Sequence, residues 1–255
     1  MSIANFLLAD RWVFRGRGRA SAVRMATAVV LISGTAAIAS AAPSVATLAA
    51  WDKYVADRER RLERDRVEPS DHPSEIVASG RSIDVGSGTI TDWQGTVFVP
   101  HISLDGLLDR LKYPGTPPPQ EDVVASRVLS RGENSLSVYM RLVRRAIVTV
   151  TYDTDHEMAF HRWSPTLATA RSVATRIEEL GGDDHGFLWR LHSYWRYQED
   201  AGGVIIHLDS MTLSRDMPWV IKPIAGPIAS RIARESMTRT LEALKRYLTS
   251  EIRSH

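Results

Sequence analysis

The sequence predicts an α+β protein, a curved antiparallel sheet wrapped around a long C-terminal helix, with an extra N-terminal helix. Three observations predict it. Strand-like segments follow one another from Val123 to Leu213, separated by turn signals. One long amphipathic stretch then closes the chain. A second helical stretch, from Pro43 to Arg66, precedes the whole set. A bent sheet that closes over a single helix leaves a hollow, and hollows hold ligands.

The elements follow in order. Ser44 is a fitting N-cap for the first helix. Leu48, Trp51, Val55 and Leu62 fall near one face of it, and Asp52, Arg58, Glu59 and Arg61 cover much of the rest. The charged run Asp57 to Arg66 reads as a solvated face with i,i+4 pairs. Residues 67–88, rich in Pro, Ser, Gly and Asp, read as loop. Gly88 to Pro100 is β-prone and ends on a proline. Ser103 to Leu111 is a short capped helix, and Tyr113 to Pro119 holds too many prolines for regular structure.

Val123–Arg131 and Ser135–Val143 form a hairpin through Gly132-Glu-Asn134. Leu136, Val138, Met140 and Leu142 alternate with Ser137, Tyr139 and Arg141, so one face of the second strand is apolar. Ala146–Asp153 reads as the next strand, 154–168 as a loop or irregular strand, and Ala170–Glu179 as a further strand ended by Gly181-Gly182. In Phe187–Gln198, Trp189, Leu191, Ser193, Trp195 and Tyr197 share one face, while Arg190, His192, Tyr194 and Arg196 share the other. Gly202-Gly203 turns into Val204–Leu213. Met217 to Pro227 is a loop or first helical turn. The long helix then runs to about Ile252, with Ile228, Ile232, Met237, Leu241, Leu244, Leu248 and Ile252 as its apolar stripe.

Composition sets the class. The chain has 255 residues, 44% hydrophobic and 24% charged, which suits a globular core. It has no cysteine, which excludes disulfides, thiolate chemistry and Cys-type zinc sites. The pI near 9.0 comes from the first 42 residues. They carry five arginines and one acid, a net of +4, against +2 for the whole chain, which leaves −2 for the rest. The body therefore offers no nucleic-acid surface, which needs clustered cations with stacking aromatics.

An arginine-rich run to Arg24, a short apolar segment and Ala39-Ser40-Ala41 read together as a secretory signal peptide with its cleavage site, or as an uncleaved N-terminal anchor. The apolar core of about 14 residues is shorter than the roughly 20 that span a bilayer. The expected organisation is a leader at 1–42, a helix and linker at 43–87, and the sheet-and-helix domain at 88–255. The protein is expected to be exported to the periplasm or beyond the cell, or held at the inner membrane by its leader.

This order of elements matches the helix-grip arrangement of the START/Bet v 1-like superfamily (SRPBCC proteins). Several strings also resemble bacterial members: Ser126-Arg-Val-Leu129, Ile147-Val-Thr-Val-Thr-Tyr152, Gly186 to Tyr197, Gly202 to Pro218 and Ala233 to Leu241. The resemblance covers about residues 88–250. It implies a cavity for a small hydrophobic or amphipathic ligand, lipids included. The superfamily also holds hormone receptors, cyclases and ring-hydroxylating oxygenase subunits, so the resemblance implies the fold more narrowly than the function.

The candidate cavity residues are Leu136, Val138, Met140, Trp189, Trp195, Tyr197, Ile206 and Leu208, apolar or aromatic groups on one face of their strands. An alternative is enzymatic. His207 and Asp209, two apart on one strand, would act as an acid/base pair in the cavity, with His192 on the neighbouring strand and Arg190 or Arg196 binding an anionic group. The competing reading turns these polar residues outward to solvent while Val204, Ile206 and Leu208 point inward. Arg171 and Arg176 are expected to pair with Glu178 or neighbouring acids on the outer surface.

His156 and His161 are five apart, where a zincin needs four, and on a strand they fall on opposite faces, so they read as a surface or loop pair. No metal site and no cofactor is expected. The favoured reading is an exported binding protein of the cell envelope that does not transform its ligand. A cyclase- or isomerase-like enzyme and an envelope interaction module, whose 44–66 helix binds a partner, are its rivals.

Overall fold

The structure is a computed structural model that describes residues 42–65, 73–113, 123–145, 149–181, 185–216 and 222–250. The leader read at 1–42 lies outside the described residues except for Ala42, as do most of the proline-rich stretch at 113–119 and Ile252. Eight strands make one sheet: β1 (Val77–Val85), β2 (Gly88–Pro100), β3 (Val123–Arg131), β4 (Ser135–Arg145), β5 (Thr149–Ser164), β6 (Leu167–Leu180), β7 (Arg190–Asp200) and β8 (Gly203–Arg215). Their spatial order is β1-β2-β8-β7-β6-β5-β4-β3, and every neighbouring pair is antiparallel. Three helices are described: α1 (Val45–Arg64), α2 (Leu104–Lys112) and α3 (Lys222–Thr249).

Caps set the starts of the first two helices. Ser44 accepts from the Thr47 amide at 3.1 Å, and Ser103 accepts from the Gly106 amide at 3.1 Å. The third begins at Lys222, ahead of the expected start near Ile228.

Two other segments depart from expectation. The stretch read as loop at 67–88 contains β1, paired with β2 from Val77↔Thr96 to Val85↔Gly88. As an edge strand it is mostly exposed and shows no apolar alternation, so its pairing and not its composition makes it a strand. It also supplies room: a Cβ on Gly80 would stand 2.4 Å from the Trp93 ring, so the indole lies over bare backbone. The segment 154–168, read as a loop or irregular strand, is a strand for most of its length, and up to Ser164 it continues the 16-residue β5. The register shift at Asp155/His156 leaves Thr175 of β6 as the extra residue, and β5 itself alternates through its charged middle, with Asp155 and Glu157 on the face opposite the buried His156.

Directly opposite residues share a face, so register sorts the side chains. On the inner face α3 packs Met237, Leu241, Leu244 and Leu248 against the sheet, and its contacts are chiefly with β2 and β1. Its approach is close at Gly95, where a Cβ would meet Leu241 Cδ1 at 2.7 Å and Met237 Cγ at 2.9 Å. Leu104, Leu107 and Leu108 of α2 are buried in the same core. They close the end of the sheet where the His101 amide bonds the Gly202 carbonyl.

The outer face is covered too. α1 lies across it, with Trp51 and Val55 packed against Ile90, Trp189, Met211 and Leu213. The molecule is therefore three-layered, with α1 outside, the sheet between, and α2 with α3 inside. Among the described residues no helix is long and apolar enough to cross a membrane.

Candidate functional site

The inner face carries two apolar clusters with a polar belt between them. The larger contains α2 and α3 together with Phe160, Ala170, Tyr197 and Leu208. The smaller is built on Leu142, Tyr152, Ala174 and Leu191. Between them, Ser172 of β6 faces Ser193 of β7, and Ser193 faces Ser210 of β8. The row is flanked by Met158 of β5, opposite Ser172, and by Trp93 of β2, opposite Ser210.

Thr154 and His156 lie beside this row, and both are buried. The Thr154 hydroxyl donates to the Met140 carbonyl at 3.0 Å. Its lone pair is then the acceptor for His156 Nε2 at 3.0 Å, which makes Nε2 the protonated nitrogen. Nδ1 is left with a bare lone pair, and the Ser172 hydroxyl stands 3.5 Å from it. Burial holds the imidazole pKa down to about 4, so the ring is neutral at pH 7.

The middle of the inner face keeps partial exposure. Ser193, Trp195, Ser210, Thr212, Met158 and Met140 point to the helix side and yet remain half-buried. β7 and β8 are interior strands, and the described contacts of α3 fall chiefly on β2 and β1, to one side of these positions.

The expected cavity residues divide by location. Leu136, Val138, Tyr197, Ile206 and Leu208 are buried in the main core, on the inner face. Met140 and Trp195 are half-buried against that core and border the accessible space. Trp189 is elsewhere. It precedes β7, so strand alternation does not govern it, and it packs under α1 on the outer face.

His207 and Asp209 do share a face, but it is the outer one, opposite Thr96 and Gln94 of β2, and neither lines the hollow. They are also not simply turned to solvent, because Arg58 of α1 reaches over Asp209, which is buried, and His207 is half-buried. His207 Nδ1 lies 2.9 Å from the Thr96 hydroxyl, and burial lowers its pKa to about 4. Burial raises the Asp209 pKa, and the Arg58 guanidinium that hydrogen-bonds it opposes that rise. With Val77, Ser79, Gln94 and Thr96 they line a pocket of about 230 Å³.

His192 is also on the outer face, edge-on to Trp51 at 5.2 Å. Arg196 donates to the Asp65 carbonyl at the end of α1. Arg171 pairs with Glu59 of α1 at 2.9 Å, not with a sheet acid, whereas Arg176 pairs with Asp155 at 2.7 Å and Glu178 at 2.8 Å.

The histidine pair departs from expectation at one end. His161 is exposed, but His156 is buried on the inner face. No cluster of metal-ligating side chains occurs among the described residues. Sequence reasoning also missed Ser172, Ser193 and Ser210. Their signal was present in the alternation, where Ser193 sits on the apolar face between Leu191 and Trp195.

Comparison with known proteins agrees on architecture. No protein-family profile matches the sequence, and no curated protein matches it. Among solved structures, a STAR-related lipid transfer protein fragment from Xanthomonas axonopodis superposes with a TM-score of 0.52 at 16% identity, over 71% of this chain and 97% of that one. The human StAR-related lipid transfer protein 5 gives 0.46 at 14% identity, over 78% and 95%. An aromatase/cyclase from a Streptomyces species gives 0.45 at 14% identity, over 65% and 97%. The chain has the START/Bet v 1-like helix-grip fold, with α1 added on its outer face.

Proposed function

We propose that the protein binds a small hydrophobic or amphipathic ligand, lipids included, between the inner face of the sheet and α3, and releases it unchanged. One observation carries this reading. Ser193, Trp195 and Ser210 sit on interior strands, face the helix layer, and still keep accessible surface. In a filled core such positions are buried and close-packed. The name of the Xanthomonas protein, which shares the fold, supports the same class of ligand.

Burying about 200 Å² of apolar ligand surface contributes roughly 5 kcal/mol before the cost of association. Apolar contact alone thus sustains weak binding, and polar contacts must add to it. The leader read at 1–42 makes this an exported protein in the same proposal, periplasmic or extracellular once cleaved, and close to the inner membrane if retained. The test of binding is native mass spectrometry of protein purified from its own host. A bound mass released by organic solvent is expected. Protein that arrives empty and takes up no lipid or aromatic compound sinks the proposal.

A further inference from the structure

We infer that the ligand is an uncharged amphiphile whose hydroxyl or carbonyl group seats on the serine row of β6, β7 and β8, and that fatty acids and other anions are disfavoured. This rests on the binding reading above and narrows it to a chemical class.

The row is contiguous. Ser172, Ser193 and Ser210 are direct cross-strand neighbours, and such neighbours stand about 5 Å apart. The first of them is already oriented. His156 Nε2 donates to Thr154, so its Nδ1 draws the Ser172 proton and leaves the Ser172 oxygen as an acceptor. Among the described residues neither Ser193 nor Ser210 makes a side-chain hydrogen bond, and both are half-buried, so their hydroxyls stay open to the recess. A ligand seated here displaces the water that reaches these hydroxyls, so a ligand group that replaces those hydrogen bonds binds better than one that cannot. Each offers one donor and two lone pairs, which complements an alcohol or a carbonyl.

The floor has nothing to balance an anion. No Asp, Glu, Lys or Arg occupies an inner-face position from Thr154 to Phe160, Ala168 to Ala174, Leu191 to Tyr197 or Leu208 to Thr212. His156 is neutral at pH 7. Of the described arginines of α3, three face acids of their own helix and the fourth, beside the end of the row, is solvent-exposed and so screened by water. Arg231 and Arg239 approach Glu235, Arg246 approaches Glu242, and Arg234 lies exposed over the Trp93 ring. A carboxylate on the serine row would be desolvated without a cation, a penalty that neutral hydroxyls do not offset.

A chain-matched series tests this on the full-length, delipidated protein at pH 7.5: dodecanol, dodecanoate and dodecane, each followed by isothermal titration. Dodecanol is expected to bind at least tenfold more tightly than either of the others. The double variant Ser193→Ala, Ser210→Ala is expected to lower dodecanol affinity about tenfold and leave dodecane unchanged. The wild-type series stands alone should that variant fold poorly. Dodecanoate binding as tightly as dodecanol overturns the inference while binding itself stands. So does dodecane matching dodecanol, because the serines then contribute nothing. If none of the three binds, the underlying binding proposal fails with it.

Discussion

Arg58 on the first helix hydrogen-bonds Asp209 on the last strand, 151 residues away in sequence, beneath the outer face of the sheet. The same guanidinium reaches Gln94 at 3.2 Å, and Tyr54, one turn earlier, donates to Asp92 at 2.6 Å. The polar run of α1, which resembles a solvated face in sequence, is in part the adhesive that holds α1 to the sheet. Replacing Arg58 by Met leaves the Asp209 carboxylate covered and uncompensated. The expected loss is about 3 kcal/mol of stability, read from the urea midpoint. The further change Asp209→Asn should recover part of that loss, and no recovery would dismiss the pairing as decorative.

Trp51 is the apolar counterpart of that attachment, at 2% exposure among Ile90, Met211 and Leu213. Trp51→Ala should cost about 3–5 kcal/mol, the usual range for a buried aromatic cut to alanine. Chemical denaturation measures it. A loss below about 1 kcal/mol would mean that α1 is a loosely held appendage.

The grip of α3 on the sheet depends on Gly95. A β-branched side chain there collides with the helix, because its Cβ would stand 2.7 Å from Leu241 Cδ1 and 2.9 Å from Met237 Cγ. Gly95→Val is expected to destabilise by about 1–3 kcal/mol through overpacking. Thermal unfolding by circular dichroism tests this, and an unchanged midpoint would show that α3 rides higher over β2 than this packing requires.

Acid should weaken the fold across a definite window. Burial first of all lowers the pKa of His156, His192 and His207 from 6.5 to about 4. For His192 the nearby Arg171 acts in the same direction, and for His207 Arg196 does. Below pH 6.5 the unfolded chain takes up protons that the folded chain refuses, so stability falls from about pH 6.5 toward pH 4. Asp209 opposes the trend, since its pKa is raised and its protonation favours the folded state. Asp153, held down to about 2 by its hydrogen bonds from Arg141, adds a loss only below pH 3.8. Urea midpoints measured from about pH 7.5 to about pH 4.5 should fall, and less steeply in His156→Gln. A flat profile excludes buried neutral histidines.

Much of the sheet was legible because period-two alternation is strong where one face is buried. Leu136 to Leu142 and Leu191 to Tyr197 show it plainly. β1 was not legible, because an exposed edge strand has no buried face to imprint a pattern on its sequence. β5 reads short because Asp155, His156 and Glu157 look like a loop, although the two acids take the outer face and only the histidine is buried. The coverage of the outer face by α1 was hidden for another reason. Its contacts join residues far apart in sequence, such as Glu59 with Tyr194 at 2.6 Å, and no local period reports them. The site was half-legible: the apolar lining was visible, but the serines look like mere interruptions of an apolar face.

The first turn of α1 is pinned to the β1–β2 hairpin, where Thr47 Oγ1 accepts from the Ser87 amide at 3.1 Å. That hairpin lies at the rim opposite α2. Any chain entering α1 from its N-terminal side therefore arrives at the hairpin rim, the end of the sheet away from α2. If the leader is retained as proposed, the hairpin rim is the part of the domain held nearest the anchor, and the α2 end the part held farthest from it.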